Sequence, residues 1–269
     1  MNPAATSDAV VLLDRPAPQV ARLRINRPDK RNAIDHAVRQ ALVDALLALR
    51  TQTDVRALVF GGVAGVFSAG GDLPTMVGLD EAGARERLQH IHGLCRLVAE
   101  LRMPVVSAIE GIGAGAAVGL ALLGDQIVVG EGTKILFPFL KLGLAPDWGQ
   151  LLTLPRRVGL PAARRILSTG TAVTGPEAER IGLADALVKD DQVMDEAVRR
   201  AVEAARLPSD AFARMKARLN HVPGSLDAEL AREEADQVVC LLGREFKEGF
   251  AAFRDKREAD FVAMPGAAP

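Results

Sequence analysis

Two glycine-rich stretches, each placed directly after a short apolar run, constrain this chain more than any other feature. "VFSAGGDL" (66–73) follows the run at 57–60, and "EGIGAGAAVGLAL" (110–122) follows the run at 104–109. Short apolar runs of this kind read as strands buried on both faces, as in parallel sheets. Each glycine loop then delivers backbone N–H groups at a strand end. The second loop passes into a helix, whose first N–H groups lack partners and whose dipole favours negative charge. Side by side, two such loops place two N–H donors on one oxygen, an oxyanion hole suited to an enolate or a tetrahedral oxyanion. The second stretch fits a dinucleotide fingerprint poorly, because Gly111, Gly113 and Gly115 are spaced G-x-G-x-G. Gly119 and Ala121 fall inside the helix, where small residues let it approach a strand closely.

The remaining segments set these loops in an α/β frame. Residues 10–14 and 20–25 alternate around a Pro-rich turn at 15–19, which suits an antiparallel hairpin. Asp35 is placed to cap a helix whose Val38, Leu42, Ala45, Leu46 and Leu49 recur at helical spacing. An amphipathic helix is expected over 80–101 and a strand over 127–129. Strand, loop and helix alternate, which defines the class. From Pro161 onward the pattern is helical, with apolar stripes at 195–206, 209–219 and 226–242 and a final charged helix over 245–261. The expected division is an α/β core over 1–200 and a helical C-terminal region over 201–269, with a disordered tail at 264–269.

Composition narrows the function classes. The 269 residues are 49% hydrophobic and 25% charged, with a net charge of −1. Without a Lys/Arg block, that charge gives no basis for binding nucleic acid. No apolar run approaches the roughly 18 residues of a membrane span, and the N-terminus lacks the basic and apolar regions of a secretory signal. Cys95 and Cys240 are far apart, so neither a disulfide framework nor a Cys-rich zinc site is expected, and a reducing cytoplasm fits. His90 and His92, two apart on a helix, point to different faces, and His36 and His221 are isolated with surface positions expected. No metal site is expected.

Four segments carry a family resemblance: "NRPDKRNAI" (26–34), "FSAGGDL" (67–73), "PVVSAIEGIGAGAAVGLAL" (104–122) and "EGFAAFRDKREADF" (248–261). In this order and spacing the chain resembles the enoyl-CoA hydratase/isomerase (crotonase) family. The resemblance implies a ClpP/crotonase-like β-β-α spiral core with a helical C-terminal trimerisation region, assembled as a homotrimer or a dimer of trimers. It implies acyl-CoA substrates, with coenzyme A as part of the substrate and no separate cofactor. By position, Gly71 and Ala116 would donate the two amides to the thioester oxygen. Lys30, Arg31 and Ala33 match the stretch that lines the CoA adenine and phosphates, and cations with loop amides suit such a ligand. Phe253 and Lys256 match an aromatic and a lysine that reach a neighbouring subunit's CoA. Ala69, Phe139 and Trp148 complete the expected substrate-binding set.

The chain also departs from the family's hydratases. These carry two glutamates, at positions that here hold Gly119 and Phe139. Neither residue can hold and polarise a water. The remaining acid is Asp147, in "KLGLAPDWG" (141–149), where the family's isomerase-like members have P-D or P-E. Two roles stay open for Asp147 at this point. It is the lone base, with its proton affinity raised by desolvation beside Trp148, or it caps a helix over 148–154. As a base, one carboxylate suffices for a 1,3-proton shift. Asp72 is expected to bond loop amides, and Glu110 to be a loop residue outside the reacting set. Hydration or C–C hydrolysis with Asp147 activating water is the alternative chemistry, and a degenerate acyl-CoA-binding paralogue is the non-enzyme alternative.

Overall fold

The N-terminal hairpin forms as the alternation predicts: β1 (Val11–Ala17) pairs antiparallel with β2 (Val20–Ile25) in the computed structural model, which describes residues 9–263. The expected tail at 264–269 lies outside the described residues. The Pro-rich segment is less of a turn than its composition suggests. β1 runs through Pro16 to Ala17, with a register shift between Asp14 and Ala17, and the reversal occurs around Gln19 at a φ of 62°. β1 is an edge strand, where a proline forfeits no interior ladder bond.

α1 (His36–Arg50) begins where Asp35 accepts a hydrogen bond from the Val38 N–H at 2.9 Å. There follow β3 (Ala57–Gly62), α2 (Glu81–Ala99), β4 (Val105–Ile109), β5 (Ile112–Ala114), α3 (Ala116–Leu122), β6 (Gln126–Gly130) and β7 (Lys134–Leu136). Then come α4 (Gln150–Thr169), β8 (Val173–Thr174), α5 (Gly175–Arg180) and β9 (Ala186–Val188). The last helices are α6 (Val193–Ala205), α7 (Ser209–Asn220), α8 (Leu226–Leu242) and α9 (Arg244–Asp255). α9 stops short of the expected 261 because Lys256 turns left-handed, with a φ of 51°.

One sheet has the order β1-β2-β3-β4-β6-β9 and is parallel beyond the hairpin, and a second has the order β5-β7-β8. An isolated bridge between Ser68 and Gly113 brings the first glycine loop alongside β5. Each turn of chain therefore contributes a long strand to the first sheet, a short extended piece to the second, and then a helix. This is the expected β-β-α spiral. The strands β5, β7, β8 and β9 were not foreseen, because two or three residues are too few to show a period.

Alternation along the strands divides the core. Leu58 and Phe60 of β3 pack with Leu42 and Leu46 of α1 and Ile91 and Leu94 of α2. Ala57 and Val59 face the other way, against Val193, Ala197, Ala201 and Ala205 of α6. The expected division at 200/201 thus falls inside a helix that packs on the sheet to its end. Arg56 secures that end, donating to the Ala205 and Leu207 carbonyls, each at 2.7 Å. α7 is pinned by the buried Lys216, which donates to Asp125 at 2.7 Å and to the Met103 carbonyl at 3.1 Å. α8 has no buried residue. No helix among the described residues is long and apolar enough to cross a membrane.

Candidate active site

The two glycine loops lie against each other at the C-terminal ends of β3 and β4. Phe67 donates its N–H to the Glu110 carbonyl at 2.9 Å, Ser68 to Ile112 at 3.0 Å, and Ala114 back to Ser68 at 3.0 Å. The contact is close at Gly70, with a φ of 92°, where an added methyl would stand 2.6 Å from the Ala114 carbonyl oxygen and 3.6 Å from the Ala116 nitrogen. Only glycine meets both demands. Asn32 locks the first loop from beneath, accepting from the Arg27 N–H at 2.9 Å and donating to the Val66 carbonyl at 2.6 Å. Ser68 Oγ donates to the Asn32 carbonyl at 2.6 Å and accepts from the Gly70 N–H at 3.1 Å.

This frame aims the two amides. Ile34 donates to the Gly70 carbonyl at 2.7 Å, and Asp72 donates to the Ile34 carbonyl at 3.0 Å. In such a parallel bridge the intervening Gly71 N–H faces away from Ile34. Ala116 is the first residue of α3, so its N–H has no acceptor within the helix. The peptide preceding it is pinned by Gln150, fully buried, whose Nε2 donates to the Gly115 carbonyl at 3.1 Å. With that carbonyl held, the Ala116 N–H of the same planar peptide points the opposite way.

Asp147 does not cap a helix. α4 begins at Gln150 behind Gly149, with a φ of 74° and no side-chain cap, and only the backbone carbonyl of Asp147 accepts from the Gln150 N–H, at 3.1 Å. The carboxyl atom Oδ1 is buried without a hydrogen-bond partner. Trp148 is 2% exposed and left-handed, with a φ of 53°, and it walls off this carboxylate's neighbourhood. Burial pushes the Asp147 pKa up to about 6, while its own backbone N–H and the charges of Arg87 and His92 pull the other way.

The other expected residues divide into two groups. Phe139 is 6% exposed and lies beside the second loop, with its ring 3.8 Å from where a methyl on Gly115 would stand. It opens a single 3-10 turn, Phe139–Leu142. Ala69 donates to the Arg31 carbonyl at 2.8 Å, and Arg27 to the Ala33 carbonyl at 2.8 Å, so the 30–33 stretch abuts the first loop. Arg31 is exposed at a φ of 47°, and Lys30 Nζ sits 3.2 Å from Asp72. Phe253 and Lys256 are not brought to this site. Phe253 is 83% exposed on a groove with Arg56, Met103 and Pro104, at the opposite ends of β3 and β4.

Two expectations change, those for Asp72 and His36, while the one for Glu110 holds. Asp72 bonds cationic side chains rather than loop amides: burial raises its pKa, but Lys30 and Arg27, at 3.2 and 3.3 Å, hold it below the usual carboxylate range. Glu110 faces the charges of Arg24, Arg22 and Asp195, outside the cleft. His36 is not isolated; its ring centroid is 4.8 Å from that of His90, while His92 faces Asp147 from the other side of α2. Sequence reasoning missed Gln150, Asn32 and Arg87. The first two act through side-chain bonds to distant backbone, which leave no trace in spacing. Arg87 was detectable, since it continues the α2 stripe of Ile91, Leu94 and Val98 one turn earlier.

The family model described as Enoyl-CoA hydratase/isomerase matches residues 16–263. The Enoyl-CoA hydratase domain-containing protein 2, mitochondrial, of Bos taurus is 31% identical over 97% of this chain and 91% of its own length. The 1,2-epoxyphenylacetyl-CoA isomerase of Escherichia coli (strain K12) is 30% identical over 90% of this chain and 95% of its own. The crystal structure of the enoyl-CoA hydratase from Bacillus anthracis aligns at a TM-score of 0.89 over 95% of this chain and 100% of that one. At 24% identity, that likeness is one of fold alone.

Proposed function

We propose that this chain, which belongs to the enoyl-CoA hydratase/isomerase (crotonase) family and is an acyl-CoA-processing enzyme, is an isomerase that shifts a C=C bond through a thioester enolate. In this reading the Gly71 and Ala116 N–H groups hold the thioester oxygen and stabilise the negative charge that develops there. Asp147 removes a proton from one carbon and returns it two carbons away, so the substrate changes neither mass nor oxidation state. The observation that carries the reading is the state of Asp147: a half-buried carboxylate with an unpartnered Oδ1 and a pKa of about 6, which caps nothing. A base poised near the working pH suits proton transfer. The isomerase among the similar proteins supports the same class.

The Lys30–Ala33 stretch and Ala69 take the CoA, with Phe139 and Trp148 walling the acyl side. Assembly is as a homotrimer or a dimer of trimers. What supports this is the face that α8 and α9 leave uncovered, with Leu226, Leu242 and Phe253 at 71%, 76% and 83% exposure. Phe253 and Lys256 then serve a neighbouring copy's CoA. An enoyl-CoA panel read by mass spectrometry and NMR tests the reaction. Migration of the double bond without a change in mass is expected, and gain of one water without migration would replace isomerisation by hydration.

A further inference from the structure

Arg87 sits in the cleft with nothing to hold. A methyl group added to Gly71 would stand 3.7 Å from its Nη2, which puts the guanidinium beside the first proposed oxyanion donor. It makes no hydrogen bond or ion pair with the described residues, although the charges of Asp147 and Asp72 both reach it. Neither acid serves as its counterion. Asp72 is already taken by Arg27 and Lys30, and the Oδ1 of Asp147 has no partner at all.

The neighbourhood makes this unpaired charge more costly. Arg39 of α1, 2% exposed and with its Nη1 unpartnered, feels the charge of Arg87 as repulsion. Asp35, the acid whose charge reaches Arg39, already pairs with Arg27 at 3.1 Å and caps α1. Burial lowers the Arg87 pKa, so the ordered guanidinium is losing solvation without gaining a partner. The helix offers an easy alternative, because a leucine at 87 would extend the stripe of Ile91 and Leu94. An arginine on that stripe, aimed into the site, marks a place where an anion arrives with the ligand.

We infer that the acyl group handled by this enzyme carries a carboxylate, and that Arg87 binds it next to the thioester held by Gly71 and Ala116. The substrates are then carboxyacyl-CoA thioesters rather than simple fatty acyl ones. This rests on the proposed acyl-CoA site. A guanidinium here presents paired N–H donors that match a carboxylate in a way lysine does not. The distance from Gly71 limits the spacer between thioester and carboxylate to a few carbons.

The test is calorimetric binding of saturated, unreactive CoA thioesters in length-matched pairs: butyryl against succinyl, pentanoyl against glutaryl, hexanoyl against adipoyl. For the wild-type protein, at least one carboxylated member is expected to bind about 10- to 100-fold more tightly than its methyl-ended partner, the range of a charge-assisted hydrogen bond. In Arg87→Met, and in Arg87→Gln should the first variant fold poorly, that ratio is expected to fall to about one. Equal or weaker binding of all three carboxylated ligands by the wild type would overturn the inference. So would a preference that survives both substitutions, or an equal loss for both members of every pair, which would assign Arg87 to the CoA phosphates instead. If neither series binds, the acyl-CoA site itself is wrong and the inference falls with it.

Discussion

Gly119 of α3 and Trp148 pack so closely that a methyl group on the glycine would stand 2.4 Å from the Trp148 Cβ. The position that the resemblance matches to the hydratases' first glutamate is thus closed by packing as well as by residue type. Trp148 has no easy retreat, being 2% exposed and held at a φ of 53° between Asp147 and Gly149. Gly119→Ala should destabilise the fold by about 1–3 kcal/mol, as overpacking does. Urea unfolding measures it, and an unchanged midpoint would mean that Trp148 yields.

The raised pKa of Asp147 sets the shape of the rate profile. A base must be ionised, so kcat/KM should lose about tenfold per pH unit below about 6, with one group titrating. A second carboxylate limb would require an acid that neither Gly119 nor Phe139 supplies.

The same shift acts on stability, and with the opposite sign to an ion-paired aspartate. The pKa rises from 3.8 to about 6 on folding, so the folded state binds this proton more tightly than the unfolded chain does. Its contribution is fully present below about pH 3.8 and is lost as the pH rises through about 6. At neutral pH the ionised carboxylate therefore costs on the order of 1–2 kcal/mol, after solvent screening of a half-buried group. Asp147→Asn should be the more stable protein at pH 7.5, with an advantage that shrinks toward pH 4 in paired denaturant titrations.

Ala116 tests the second amide. As the first residue of α3 it can become proline at limited structural cost, since no helical bond uses its N–H. Ala116→Pro should keep its circular dichroism and lose roughly 10²–10³ in turnover, the effect of removing one oxyanion donor. Near-normal turnover would place the donor elsewhere.

The sequence showed the frame better than the joinery. The apolar runs at 57–60 and 104–109, the Asp35 cap and the stripe of α8 were legible because each repeats a local period or a local hydrogen bond. The second sheet was not, because β5, β7 and β8 are held by pairing with distant residues rather than by their own pattern. The site divides in the same way. The two glycine loops and Asp147, an acid in apolar company, stand out in the pattern, whereas Gly71 and Ala116 are singled out within those loops only by the family resemblance. Whether Asp147 caps α4 depended on where that helix starts, and the start is set by Gly149 turning left-handed. Gln150 was invisible because its bond to Gly115 spans 35 residues.

Asp147→Asn, followed by NMR in deuterated water with an enoyl-CoA substrate, bears most directly on the claim that one carboxylate carries the reaction. Asparagine keeps the size of the side chain and removes its basicity. A saturated acyl-CoA should still bind, because Gly71 and Ala116 are untouched, while double-bond migration and exchange of the α-protons both collapse. A folded Asp147→Asn protein that shifts the double bond and exchanges α-protons at the wild-type rate would contradict the account and leave the site without its base.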